Sequence, residues 1–324
     1  MAQARSVSMR PHRRRFLRLA AGTVALPAVS RVASRVAWAQ VDRAQAYPAR
    51  PVRIVVGFAP GGAADASARI MGQWLSDRLG QQFVVENRPG ASSNIATAAV
   101  VRAAPDGYTL LEVADANAFN ATLYDKLSFN FIHDIVPVAS IDRAPFVMAV
   151  NPSSPANTVA EFIAYAKANT GKINMGASGP GSSSQLYGEL FKTMTGIEMA
   201  AVQYRGVGSA LPDLMSGRLD VIFLPVATAV GQINAAKVRA LGVTSSKRAA
   251  VLPDVPAIGD TVAGYEAVGW TGIGTTAKTP DDIVTTLNRH VNAALADATF
   301  KARLAEVGLE PFASTPLRVR QFHC

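Results

Sequence analysis

Two short stretches hold the residues best suited to chemistry. Lys172–Ser184 reads KINMGASGPGSSS and sets Ser178, Ser182, Ser183 and Ser184 beside Gly179 and Gly181. Val52–Asp65 reads VRIVVGFAPGGAAD and carries Phe58, Ala59, Pro60, Gly61, Gly62 and Ala63 ahead of Asp65. Clustered hydroxyls can supply a nucleophile, but an attacking serine needs a base within hydrogen-bond reach. Beyond His12 the chain has only His133, His290 and His323, none close to 178–184 in sequence. The other chemistry open to these stretches is anion binding. Each is an apolar run that ends in a Gly/Pro turn and then enters a helical pattern. A helix N-terminus presents unpaired N–H groups and a partial positive charge. In open α/β sheets, ligands bind at such junctions, beyond the carboxyl ends of strands. Two junctions about a hundred residues apart predict two lobes gripping one small acidic molecule.

Further candidates lie outside these runs. Tyr204-Arg205-Gly206 offers a cation, while the backbone N–H groups of Gly206 and Val207 offer an alternative donor set. Asn117 and Thr228 fall in loops expected to face the cleft. Asp65, in a first helical turn, complements the helix dipole; it could also orient a water or accept from a ligand amine. No G-x-S-x-G elbow, phosphate-binding G-x-x-x-x-G-K-[ST] or H-E-x-x-H occurs. Neither a catalytic set, nor a cofactor motif, nor a metal-ligand cluster is expected.

The elements that must position these residues alternate between strand and helix patterns, which argues for an α/β fold. Ile54–Phe58 reads as a buried strand, followed by Ile70, Met71, Trp74, Leu75 and Leu79 at helical spacing, with Gly80 placed to end the helix. Phe83–Val85, Tyr108–Val113 and Phe146–Val150 read as strands, and Asn151–Pro155 as the crossing between lobes. Thr158–Glu161 forms a capping box. Ile173–Gly176, Val221–Leu224 and Val238–Thr244 are further strands, and Gly196 closes the stripe Leu186, Tyr187, Leu190, Phe191, Met194. A late helix starts with Pro280 at its first position and turns Ile283, Leu287 and Val291 inward.

The N-terminus reads as a targeting segment. Arg13-Arg14-Arg15 precedes the apolar Leu19–Val29, and Ala37-Trp38-Ala39 has the form of a signal-peptidase site, giving a twin-arginine leader over residues 1–39 cleaved near Ala39. That segment holds eight of the 32 Lys+Arg and none of the 23 Asp+Glu. The net charge of +9 therefore belongs to the leader and argues for no nucleic-acid partner. The single cysteine, Cys324, allows no intrachain disulfide.

In order along the chain, Pro60-Gly61-Gly62-x-x-Asp65, LGQQFVVENRPGA (Leu79–Ala91), PDGYTLL (Pro105–Leu111) and LYDKLSFNFIHDIVPVA (Leu123–Ala139) resemble the Bug-type extracytoplasmic receptors of tripartite tricarboxylate transport. GELFKTMTG (Gly188–Gly196), YRG (Tyr204–Gly206), VRALGVTSSKR (Val238–Arg248) and LPDVPAIGD (Leu252–Asp260) extend the resemblance from Tyr47 to Pro316. It implies a two-lobed periplasmic-binding-protein-like fold with the ligand cleft between two α/β lobes, residues 47–150 plus 268–324 forming lobe 1 and 151–267 lobe 2. It further implies a monomeric periplasmic receptor that captures a dicarboxylate, tricarboxylate, acidic amino acid or aromatic acid by hinge closure for membrane transporter subunits. Backbone amides of two facing loops, here Phe58–Asp65 and Ser178–Ser184, hold such ligands. Two other readings stay open: an exported α/β hydrolase-like enzyme and a ligand-presenting co-receptor for a sensor. The chain departs from the family pattern at Gln185, Ala201, Gln203 and Leu224-Pro225. Glu112 and Asp115 also lie near a third cleft loop, where an acid repels a second carboxylate. The distal pocket is then either more apolar or suited to a positive group. After Pro316, where the family has a long final helix, this sequence reads as truncated.

Overall fold

The structure, a computed structural model, describes residues 47–313. The leader expected over residues 1–39 and the sequence after Pro316, with His323 and Cys324, lie outside those residues.

The first apolar run forms β1 (Val52–Val56), with Ile54, Val55 and Val56 all buried. A parallel strand covered by helices on both faces requires that burial. β1 pairs in parallel with β2 (Phe83–Asn87) and β3 (Thr109–Ala114). Between β1 and β2, α1 (Ala63–Leu79) packs Ala64, Ala68, Met71 and Leu75 on one face of this sheet. It ends as predicted at Gly80, which takes φ 70° and donates its N–H to Ser76 O. On the other face, α2 (Asn94–Val101) sets Ala96 and Val100 beside Leu111 and Val113.

After α3 (Asp115–Leu123) and α4 (Phe131–Asp134) comes β4 (Ile135–Val150), a strand of 16 residues that belongs to both sheets. The chain continues through α5 (Val159–Ala168), β5 (Asn174–Ala177), α6 (Ser183–Thr195), β6 (Ala200–Gln203) and α7 (Val207–Met215). Then follow β7 (Val221–Pro225), α8 (Val226–Asn234), β8 (Arg239–Val243), β9 (Val268–Thr276), α9 (Asp281–Ala296), α10 (Ala298–Glu306) and β10 (Glu310–Pro311). Strands run in the order β2-β1-β3-β9-β4-β7-β5-β6, with β8 and β10 also on β4.

β4 pairs antiparallel with β9 up to Pro145, and from Phe146 onward with β7 and β8. Its change of partner marks the passage from one lobe to the other. The turn Asn151–Pro155, expected as that passage, instead follows the strand. Asn151 Nδ2 fastens it by donating to the carbonyls of Leu214 and Met215 at 2.8 and 2.7 Å.

The second sheet is also covered on both faces. Met148, Met175 and Phe223 meet Phe162, Phe191 and Tyr265 on one side. Val147, Ile222 and Leu224 meet Ala210, Leu214 and Ala229 on the other. Alternate residues of β7 thus enter opposite cores, as strand geometry dictates. The fold is a two-lobed α/β architecture. Pro280 caps α9 rather than opening it, and Val284, Leu287 and Val291 form its buried stripe.

Candidate ligand-binding cleft

Among the described residues, five helices place their first turns on the wall of one cavity of about 170 Å³ between the two sheets. Ala63 and Ala64 begin α1, Asp115 begins α3, and Ser183 and Ser184 begin α6. Val207, Gly208 and Ser209 begin α7, and Thr228 lies in the first turn of α8.

The loop Phe58, Ala59, Pro60, Gly61, Gly62 forms one wall together with Ala63. Asp65 stands behind it and does not line the cavity. Its Oδ2 accepts from Gly61 N at 2.9 Å and Arg69 Nε at 3.0 Å, and its Oδ1 accepts from Asn87 Nδ2 at 2.9 Å. Burial pushes this carboxyl up, but the Arg69, Gly61 and Asn87 bonds outweigh it and hold the group below the ordinary carboxylate value. Asp65 therefore fixes the loop and takes the Gly61 N–H for itself. Gly61 adopts φ +83°, and a side chain there would meet no protein atom, so the position needs glycine for conformation. The first donor inside α1 is Ala66 N, bonded to Gly62 O. The N–H groups of Ala63 and Ala64 are left to a guest.

Across the cleft, Gly206 caps α7. A Cβ on Gly206 would lie 3.4 Å from Ala59 Cβ, so the two loops meet. Ser209 N and Oγ both donate to Gly206 O, at 3.0 and 2.7 Å, leaving the Val207 and Gly208 N–H groups to a guest. Thr228 Oγ1 is buried on the wall without a partner.

The serine-rich turn contributes less than its composition promised. Ser178 and Ser183 line the cavity, as does Ser184. Ser184 Oγ accepts from Ser178 N at 2.9 Å and lies 2.9 and 3.0 Å from the Ser178 and Ser182 hydroxyls. Ser182 is spent on capping α6, accepting from Gln185 N, and stands off the wall. Gly181 donates to Gln185 Oε1 and faces α3, where a Cβ would come within 2.8 Å of Asn120 Oδ1. Gly179, Tyr204 and Arg205 line a second cavity of about 290 Å³, where Phe58 and Ser178 reappear. Tyr204 OH donates to Asp213 at 2.6 Å. Asn117 also points away from the main cavity. It closes the β3–α3 turn, accepting from Ala114 N and donating to Thr97 Oγ1 at 2.8 Å.

Asp115, near a third cleft loop in sequence, lines the cavity itself. Its Oδ1 accepts from Ser183 Oγ at 2.6 Å and Ala116 N at 2.9 Å, and its Oδ2 accepts from Tyr187 OH at 2.6 Å. Burial pushes the carboxyl up, and these bonds oppose the shift. Burial and the neighbouring Asp115 raise the Tyr187 hydroxyl well above its usual value. Glu112 lies beneath the wall, fully buried, and neither carboxyl oxygen has a partner. Burial, then Asp142, Asp115 and Asp65, drive it well above the ordinary value. Asp142 accepts from Ser67 Oγ at 2.5 Å and Thr271 Oγ1 at 2.8 Å, and burial pushes it up to about 6. Phe146, Trp270 and Pro225 supply apolar wall that sequence reasoning missed.

Hydrolysis by a cleft serine needs a base within reach of its hydroxyl, at Ser178 or Ser182. Both hydroxyls meet Ser184 instead, and the carboxylate of Asp115 meets Ser183. His133 lies exposed on α4 and His290 half-buried on α9, neither lining the cavity. Among the described residues, no group of three His, Cys, Asp or Glu is arranged to hold a metal, and no helix is long and apolar enough to cross a membrane.

Comparison with known proteins bears directly on this cleft. The pattern of the family described as "Tripartite tricarboxylate transporter family receptor" matches residues 67–323. Protein BugT of Bordetella pertussis is 34% identical over 284 residues, covering 86% of each chain. The Rpa4515 protein of R. palustris, solved with adipate, superposes with a TM-score of 0.83 at 36% identity, covering 86% of this chain and 93% of that one. MatC from Rhodopseudomonas palustris, solved with bound malate, gives a TM-score of 0.80 at 30% identity, covering 86% and 96%.

Proposed function

Because the chain belongs to the tripartite tricarboxylate transporter receptor family, whose members are periplasmic solute-binding proteins, we propose that its cleft captures a small organic carboxylate by closure of the two lobes. The observation that carries this reading is the convergence of five helix N-termini on one cavity. Burying an unpaired carboxylate is costly. Main-chain N–H groups from α1 and α7 offset that cost, since a charge-assisted hydrogen bond contributes roughly 1.5–3 kcal/mol. The solved relatives with adipate and malate support an acid as the guest.

Closure moves the first sheet and its helices against the second, with the change of partner in β4 between Pro145 and Phe146 as the flexing connection. A guest that touches both lobes shifts the population toward the closed form. The protein acts as an exported, monomeric receptor, freed of its leader near Ala39, that delivers its guest to membrane transporter subunits and performs no catalysis itself. The test is a thermal-shift screen of the purified chain against mono-, di- and tricarboxylates, acidic amino acids and aromatic acids. At least one acid is expected to raise the melting temperature in a concentration-dependent way. A flat screen would refute the reading, and turnover of the bound acid would replace it with an enzyme.

A further inference from the structure

We propose that Asp115 makes this cleft selective for acids that carry one carboxylate and an uncharged, apolar remainder. The inference rests on the receptor reading above and narrows its substrate class. Among the described residues, Asp115 is the only ionisable side chain on the cavity wall. No lysine, arginine or histidine of the wall stands ready to neutralise a second negative charge on a guest.

Burial raises the Asp115 carboxyl, and the donors gathered around it pull the other way, toward the charged form. The Ser183 and Tyr187 hydroxyls and the Ala116 N–H reach its carboxyl oxygens within 2.9 Å, the N–H of Asp115 itself adds a fourth bond, and hydrogen bonds of that kind stabilise a carboxylate. Asp115 also borders the cavity beside β9. Gly269 lines the cavity, and a Cβ built there would lie 3.5 Å from Asp115 Oδ2 and 3.1 Å from Phe146 Cε2. A fixed negative charge therefore borders the space where the far end of a guest would lie. The rest of that region is apolar, lined by Phe146, Trp270, Ala144 and Pro225.

The cleft is thus asymmetric. Free N–H groups of α1 and α7 welcome one carboxylate at one end, and a carboxylate of the protein occupies the anion position at the starts of α3 and α6. Two like charges within a few ångströms in a water-poor cleft repel strongly.

The test is calorimetric titration of the purified full chain with three pairs of acids: propionate and succinate, hexanoate and adipate, benzoate and terephthalate. In at least one pair the monoacid is expected to bind at least tenfold more tightly than the diacid. Asp115→Asn is expected to move that ratio at least tenfold toward the diacid. A diacid that binds as tightly as its monoacid, or tighter, in every pair that binds overturns the proposal, as does an unchanged ratio in a folded Asp115→Asn protein. Absence of binding by all six acids overturns it too. The wild-type comparison decides the matter if the variant does not fold. Preference for diacids leaves the receptor reading standing, whereas a wider carboxylate screen with no binder removes both.

Discussion

Asp115 and Ser183 face each other at 2.6 Å, the first at the start of α3 and the second at the start of α6. Helix α3 continues β3 of the first sheet and α6 continues β5 of the second, so this hydrogen bond ties two elements that the sheets hold apart. Tyr187, one turn further along α6, donates to the same carboxylate. The negative charge sits where two positive helix ends approach one another, which offsets its burial without a cationic side chain. On the same side of the cleft, Ser92 Oγ and Tyr124 OH both donate to Pro180 O, at 2.7 and 2.9 Å. This contact set is the part of the molecule that must loosen if the lobes are to separate.

Tyr187→Phe removes one of those bonds and leaves the ring to pack against Phe146, whose centroid is 4.8 Å away. Hydrogen bonds to a charged group contribute about 1.5–3 kcal/mol, and a loss of that size is expected in urea unfolding at neutral pH. Small-angle scattering of the unliganded variant should also show a more open particle. A variant with unchanged stability and unchanged dimensions would mean that the bond does not hold the lobes together.

Glu112 makes an opposite prediction about stability. Its carboxyl is fully buried with neither oxygen bonded, so an apolar side chain of similar length should fit better. Glu112→Met is expected to stabilise the protein by about 1–3 kcal/mol at pH 8, the cost of an unsatisfied buried group. The sign with pH follows from the raised carboxyls. Glu112 and Asp142 hold protons in the folded chain at pH values where the unfolded chain has released them, so stability falls as pH rises through that window. For Asp142 the window runs from the ordinary carboxylate value of 3.8 to about 6, and for Glu112 it lies above the ordinary value of 4.5. The gain from Glu112→Met should therefore shrink as pH is lowered from 8 toward 4. Melting curves across that range decide it. A gain that is constant or grows in acid would show that proton uptake by Glu112 on folding is not the destabilising element.

The strand-to-helix junctions were legible because their determinants are local. Apolar β1 residues run into Pro60-Gly61-Gly62, and Gly80 and Gly196 end their helices in the left-handed conformation that glycine favours. What escaped the sequence depends on distant neighbours. β9 reads VGWTGIGTT, and its glycines break the apolar pattern of a strand. The cause is close approach: a Cβ at Gly272 would lie 2.6 Å from Ala139 O, and one at Gly274 would lie 2.7 Å from Ile135 Cγ2. The serine cluster was weighted by composition, yet its hydroxyls and several of its N–H groups bond to one another. Opposite it, the Val207 N–H, readable in sequence beside Tyr204-Arg205-Gly206, stands at the start of α7, and Gly208 adds a second. Asp115 acquires its place through Tyr187, 72 residues away, and no local pattern encodes that pairing.

The donor assignment at the two helix starts can be tested by removing single N–H groups. Val207 is the first residue of α7, and Gly206 before it is extended, with ψ 148°. That backbone is what a residue preceding proline requires, and proline is well tolerated at a first helical position. Val207→Pro therefore deletes one donor from the cleft while leaving α7 intact. Ala63→Pro does the same for α1, because Gly62 is extended with ψ 175°. Each deletion should weaken a bound carboxylate by tenfold to a hundredfold, the equivalent of about 1.5–3 kcal/mol, while the melting temperature of the unliganded protein stays within a few degrees of wild type. Calorimetry with whichever acid the thermal screen identifies measures the loss. If both proline variants melt normally and bind that acid as tightly as wild type, the carboxylate is held by other groups and the main-chain account of the cleft fails.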